Sequence, residues 1–158
     1  MSKPPFAVLL LAALAMASPA TAQDAAAAPA EGPAEMLQIY DASEVTLDQF
    51  IWVNRPVVVF ADSPFDPRFV EQMELLQARP AELNERDVVV ITDTDPDARS
   101  DIRRQLRPRG FQLTVIGKDG EVKLRKPSPW DTREISRSID KMPLRQRELR
   151  EQRAGGDG

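Results

Sequence analysis

Pro56-Val57-Val58-Val59-Phe60-Ala61-Asp62-Ser63-Pro64-Phe65-Asp66-Pro67 is the stretch on which the fold turns. Residues 56–60 form a short apolar run rich in β-branched side chains, the pattern of a strand covered on both faces. Turn-forming residues follow at once. Asp66-Pro67 then sets a capping side chain before a proline, whose missing N–H is no loss at the first helical position. Phe69, Val70, Met73 and Leu76 recur at helical spacing and predict the buried face of a helix. Arg79-Pro80 ends that helix, with a short helical segment expected around Leu83.

The same grammar repeats downstream. Val88-Val89-Val90-Ile91 predicts a second buried strand, and the Asp95-Pro96 pair predicts a second helix with Ala98, Ile102 and Leu106 on one face and Arg99, Arg103, Arg104 and Arg107 off it. Arg107-Pro108-Arg109-Gly110 ends it. Phe111, Leu113 and Val115 alternate with Gln112 and Thr114 as a third strand, Lys118-Asp119-Gly120 makes a hairpin turn, and Val122 with Leu124 make the fourth strand. Asp131 and Glu134 have capping-box spacing at the start of a last helix that buries Ile135, Ile139 and Met142. Trp130 stands where a hydrophobic staple would, and Trp52 and Trp130 are both expected to pack against the core or its edge. Pro143 interrupts the last helix. Arg145 to Arg153 is so charged that it predicts a solvated or frayed helical extension, followed by a glycine-rich end.

The flanks set the domain limits. Lys3, the apolar run Phe6 to Ala17 and the small-x-small Ala20-Thr21-Ala22 have the layout of a signal peptide cleaved before Gln23. That run is far below the ~20 residues a spanning helix needs, and no later segment is apolar enough to span. The expected division is a signal peptide over 1–22, an Ala/Pro-rich disordered spacer over 23–43, one folded domain over 44–143 and the charged extension over 144–158. About 110 residues suffice for one hydrophobic core and not two. Residues 23–98 hold sixteen acidic side chains against four arginines, whereas 99–153 hold sixteen Lys and Arg against eight acidic ones. Neutralisation of one half by the other is expected, with a basic face for an anionic partner as the alternative.

Phe60-Ala61-Asp62-Ser63-Pro64, Asp93-Thr94-Asp95-Pro96, Leu106-Arg107-Pro108-Arg109-Gly110-Phe111, Gly117-Lys118-Asp119-Gly120 and Ile139-Asp140-Lys141-Met142-Pro143-Leu144-Arg145-Gln146 resemble a thioredoxin-like domain of unknown function. That domain is found in exported bacterial proteins and in sushi-repeat-containing extracellular proteins of animals. The resemblance covers Ile51 to Glu148 and implies an α/β, thioredoxin-like (βαβα-ββα) three-layer sandwich in a secreted setting. It implies no activity and no site. The order strand, helix, strand, helix, hairpin, helix agrees, with a right-handed crossover and an antiparallel edge.

The chain contains no cysteine and no histidine. Disulfide exchange, peroxide reduction by a thiolate and imidazole general-base chemistry are thereby excluded. A redox thioredoxin carries Cys-x-x-Cys where Ser63-Pro64-Phe65-Asp66 stands, and Gln112 lies near the place of its cis-proline. Ser63 as a nucleophile would need Lys or a carboxylate such as Asp62 as its base; a turn or cap role is the simpler reading. Asp93, Asp95 and Asp97 alternate in the way that clusters carboxylate oxygens for a hard cation, but without the glycine and glutamate of an EF-hand loop; capping explains them as well. No metal or cofactor is therefore assigned. Arg103, Arg104, Arg107 and Arg109, with Lys123, Arg125 and Lys126, form the better candidate, a surface for a phosphate, a sulfated ligand or an acidic partner. Nucleic acid is not expected of an acidic chain with little aromatic interleaving. Three readings stay open: a redox-inactive binding or adaptor module for a protein or envelope component, an anion-binding module, and a carboxylate-dependent enzyme around Asp62 and Asp93.

Overall fold

The computed structural model describes residues 36–156, so the expected signal peptide and most of the expected spacer lie outside the described residues. The elements are β1 (Ile39–Asp41), β2 (Arg55–Phe60), α1 (Pro67–Gln77), α2 (Pro80–Asn84), β3 (Val88–Asp93), α3 (Asp101–Leu106), β4 (Gln112–Ile116), β5 (Val122–Lys126), α4 (Thr132–Asp140) and α5 (Pro143–Gly155). The strands form one sheet in the order β1-β3-β2-β4-β5. The first three are parallel, and β4 and β5 add on as an antiparallel hairpin.

Alternation along the central strands sorts their side chains into two cores. Val57, Val59, Val88, Val90, Leu113 and Val115 face Leu76 of α1, Leu83 of α2 and Ile135 and Ile139 of α4. Val58, Phe60, Val89, Ile91 and Ile116 face Ile102 and Leu106 of α3, with Leu47 and Phe50. Both faces of the sheet are therefore covered, which is why the strands read as unbroken apolar runs. The result is the expected three-layer sandwich. Gly120 supports the hairpin at φ 78°, a left-handed conformation that glycine alone adopts without a Cβ penalty, and its N–H donates to the Gly117 carbonyl at 3.0 Å.

Several expectations change. The spacer does not reach residue 43, because Ile39–Asp41 pairs in parallel with Val90–Thr92 as the edge strand β1. Asp95 caps only a single turn of 3-10 helix over Pro96–Ala98; Arg99 then turns left-handed at φ 47°, and Ser100 caps α3 through the Arg103 N–H at 3.0 Å. Ala98 accordingly faces solvent. On α1, Val70 is exposed, and Gln72 is fully buried instead. Its amide donates to the Trp130 carbonyl at 3.0 Å and accepts from the Trp130 N–H at 2.8 Å, tying α1 to the segment that enters α4. Gln72→Leu strands both Trp130 groups, and chemical denaturation should show a loss of about 2–4 kcal/mol. Asp131 caps α4 as expected, but Glu134 pairs with Arg137 instead of closing a capping box.

The largest correction concerns α5. Its first turns are packed, with Arg145 buried and Glu148 half-buried, while Gln146, Arg147 and residues 150–156 are exposed as expected. The expected neutralisation of the acidic half by the basic one is realised in Lys118–Asp87 and Arg103–Asp93, while Arg55–Glu148 and Arg86–Asp140 join the halves with the charges reversed. Among the described residues no helix is long and apolar enough to cross a membrane.

Candidate functional site

Three elements converge where β2 and β3 end. The Ala61 N–H bonds the Asp93 carbonyl at 2.9 Å, so the two strands run parallel to their last residue and the chain leaves both at one rim. The end of parallel strands beside a change in connection is where α/β sheets place ligands. On one side of the rim lies the loop Asp62-Ser63-Pro64-Phe65-Asp66, and on the other the approach to β4 through Arg109, Gly110 and Phe111.

The loop's polar atoms are taken up by its own turn. Ser63 Oγ accepts from the Phe65 N–H at 3.1 Å, and its carbonyl accepts from the Asp66 N–H at 3.2 Å. Asp66 caps α1 by accepting from the Arg68 N–H at 2.9 Å, while the Arg68 guanidinium holds both carboxylate oxygens at 3.2 and 2.9 Å. That side-chain bond, more than the backbone one, keeps the Asp66 carboxyl below its ordinary range. Arg68 also lies over the Phe111 ring at 5.5 Å, which links the loop to the far side of the rim. Ser63 is therefore a turn residue, with no hydrogen bond to Lys or to Asp62 among the described residues. What the loop offers to solvent is Phe65, 86% exposed, flanked by exposed Pro64 and Asp62.

Arg103 organises the rim from beneath. Its Nε and Nη2 donate to Asp93 Oδ1 at 2.9 and 2.8 Å, and Nη2 also reaches the carbonyls of Ala61 at 2.9 Å and Asp93 at 3.1 Å. The guanidinium lies 5.5 Å from the centre of the Phe60 ring. Asp93, 4% exposed, further accepts from Ser100 Oγ at 2.5 Å. One arginine thus staples the ends of β2 and β3 to the start of α3. It is a clamp, and not an open anion site.

The candidate residues separate accordingly. Asp93 is committed to Arg103 and Ser100, Asp95 accepts from the N–H groups of Asp97 and Ala98 at 3.0 and 3.3 Å, and Asp97 is exposed; the alternation reflects one buried ion pair and one cap. Among the described residues no group of three acidic side chains is placed to hold a metal ion. The expected basic surface is divided in the same way. Lys123 leaves it, bonding Asp119 at 2.6 Å and Glu121 at 2.8 Å beside the hairpin turn, and those two carboxylates raise its ammonium pKa. Lys126 lies over Trp130 at 4.6 Å. Arg125 caps α3 through the Leu106 carbonyl at 2.7 Å, and Arg104 pairs with Asp101 on the surface. Arg107 and Arg109 are exposed, without an acidic partner among the described residues. What remains of the cluster is Arg104, Arg107, Arg109 and Arg125.

Sequence reasoning missed a second charged assembly at the other end of the sheet. Arg55, 1% exposed at the start of β2, donates to the Arg86 carbonyl at 2.9 Å and to Glu148 Oε1 at 3.0 Å. Lys118 joins the same carboxylate at 3.0 Å and Asp87 at 2.7 Å, and Arg145 meets its other oxygen at 3.4 Å. Nothing in the pattern of α5 distinguishes Arg145 from its exposed neighbours Arg147 and Arg150. The one available signal was Arg55 itself, a charge opening an apolar strand. Trp52 also departs from expectation: it is 68% exposed, and its backbone turns left-handed at φ 65°.

Solved structures share this architecture. The reduced 2-Cys peroxiredoxin of Plasmodium vivax superposes with a TM-score of 0.54 at 16% identity, over 66% of this chain and 85% of that one. A chloroplastic thioredoxin z gives 0.50 at 20% identity, over 65% and 92%. Reduced desulfothioredoxin of Desulfovibrio vulgaris Hildenborough gives 0.50 at 19%, over 68% and 100%. At such identities the likeness is one of fold alone. A family model described as a domain of unknown function (DUF4174) matches residues 46–148, a segment that takes in the rim, the clamp and the first turns of α5.

Proposed function

The chain belongs to that family of thioredoxin-like domains of unknown function, and from this premise we propose that it is an exported binding or adaptor module without redox activity. The observation that carries this reading is the rim. Where thioredoxins keep their thiols, a chain with no cysteine presents a self-satisfied Ser-Pro-Phe-Asp turn crowned by an exposed phenylalanine. An exposed aromatic on a rigid loop supplies apolar contact area at low entropic cost, which suits recognition of another protein or an envelope component.

Export is proposed from the first 22 residues, which have the layout of a cleaved signal peptide. Mass spectrometry of the protein recovered from outside the cytoplasm should find Gln23 as the first residue; retention of Met1 or Ser2 would refute cleavage. For the binding role, a photoreactive amino acid is placed at Phe65 and, as a control, at Arg137, which is exposed on α4. Crosslinking in the envelope fraction should yield a discrete adduct from position 65 only, with no disulfide-reduction activity in the same preparation. Absence of that adduct, or reductase activity, would overturn the reading.

A second reading is favoured by Arg107 and Arg109, which have no acidic partner among the described residues. With Arg104 they suit a phosphate, sulfated or acidic ligand. Salt-dependent retention on a heparin column should then fall on replacing Arg104, Arg107 and Arg109 together by Gln. Unchanged retention would remove this alternative.

A further inference from the structure

At the end of the sheet opposite the rim, a cavity of about 270 Å³ opens between the β4–β5 turn and the start of α5. Trp52, Lys118, Lys123, Met142, Leu144 and Arg147 line it. We infer that this cavity binds a small organic monocarboxylate with a ring-sized apolar body. Four observations lead there.

Trp52 is a bulky side chain in the left-handed backbone region, a conformation that costs energy and is retained where surrounding structure imposes it. Here the Trp52 N–H donates to the Lys118 carbonyl at 2.7 Å, so the hairpin turn itself holds the strained residue against the cavity. Its indole nevertheless remains largely exposed. An unfavourable backbone that presents a tryptophan to water at a cavity's edge has no packing explanation.

The lining sets apolar Met142 and Leu144 beside the cations Arg55, Lys118, Lys123 and Arg147. The partners of those cations decide which of them is open to a ligand. Lys118 is matched by Asp87 and Glu148, Lys123 by Asp119 and Glu121, and Arg55 by Glu148. Arg147 has no acidic partner among the described residues. Arg147 is thus the lining cation left open to a ligand, and a guanidinium fork meets a single carboxylate with two parallel bonds.

The first turn of α5 adds to this. Met142 occupies the N-cap position with no side-chain hydrogen bond; its own N–H donates to the Ile139 carbonyl and Pro143 has none, so Leu144, which lines the cavity, carries the first N–H of the thirteen-residue helix. An anion at Arg147 would lie beside the positive end of that helix. The volume admits a body the size of a phenyl or branched alkyl group, at the lower end of known small-molecule sites.

The test is an NMR titration of the full-length mature protein with 3-phenylpropionate, with 3-phenylpropanamide as its neutral isostere and propionate as the headgroup alone. Saturable shifts of the Trp52 indole and the Gly117, Lys118 and Leu144 amides are expected with 3-phenylpropionate, at a dissociation constant of about 1 mM. The amide and propionate should each bind at least about tenfold more weakly, and Arg147→Gln should weaken 3-phenylpropionate by about the same factor. Trp52→Asn, in which asparagine tolerates the left-handed backbone, should abolish saturation at Gly117 while leaving the rest of the spectrum folded. No saturation by 20 mM, equal binding of the amide, or indifference to Arg147→Gln would each overturn the assignment. Failure here leaves the crosslinking result at Phe65 untouched, since the two sites lie at opposite ends of β2.

Discussion

Glu148→Ala lowers the unfolding free energy by about 3–5 kcal/mol, the cost of leaving buried arginines without their counter-charge. In a thermal melt the midpoint falls by about 10–20 °C. The size follows from the position of one carboxylate. It is shared by Arg55, Lys118 and Arg145, two of which are almost wholly buried. Arg145 has few alternatives: its Nε is buried with no hydrogen-bond partner, and Asp140 and Glu85 stand at 3.8 and 3.6 Å. Removing Glu148 therefore releases α5 from the sheet as well as unpairing Arg55. A surface ion pair on the same helix would change stability by no more than about 1 kcal/mol. A loss of that lesser size, measured by denaturant titration, would show that α5 is not fastened in this way.

Acidity provides a second measure of the same group. Burial works against ionisation of Glu148, but the Lys118 hydrogen bond and the charge and hydrogen bond of Arg55 outweigh it and hold the carboxyl below the ordinary glutamate value of 4.5. A group depressed in the folded state contributes stability that is complete above its unfolded pKa and is lost as pH falls through its folded one. The difference between the native protein and Glu148→Gln should thus be constant at neutral pH and shrink below about pH 4.5. A gap that persists unchanged to pH 3 would place the effect elsewhere.

The distinction between what the sequence disclosed and what it hid follows from the type of interaction involved. Val57 to Phe60 and Val88 to Ile91 are buried on both faces, so their composition alone announces them, and Asp66 and Asp131 cap helices by local bonds within three residues. Contacts between distant polar residues leave no such trace. Arg103 looked like one more member of a basic helix face, yet its guanidinium is the one that reaches back to β2 and β3. Gln72 was hidden by its polarity in a face assigned to apolar residues, and Arg145 by a charged helix in which burial has no periodic signature. The strand β1 was hidden for another reason: three residues are too few to show a period. The rim's emptiness of thiol chemistry was legible at once, because it depends on residue type and not on contact.

Asp93→Ala and Arg103→Leu separate the clamp from an anion-binding role for that arginine. Asp93→Ala leaves a guanidinium of 12% exposure with two carbonyls and the exposed Asp62 carboxylate at 4.0 Å, and is expected to cost about 3–4 kcal/mol. Arg103→Leu leaves the Asp93 carboxylate with Ser100 as its remaining side-chain donor, at a similar cost. The double variant Asp93→Ala/Arg103→Leu should recover a large part of either loss, because it leaves no buried charge behind, giving a coupling energy of about 2 kcal/mol or more. An arginine whose task was to hold an outside anion would behave otherwise. Its removal would leave stability nearly unchanged and weaken heparin retention, and its loss and that of Asp93 would simply add. The clamp predicts the reverse on each count. It also predicts that loosening it exposes the rim first: in Asp93→Ala the amides of Ala61 and Asp62 should exchange hydrogen faster by a factor larger than the global loss explains, since the end of β2 is held there by Arg103 bonding the Ala61 carbonyl.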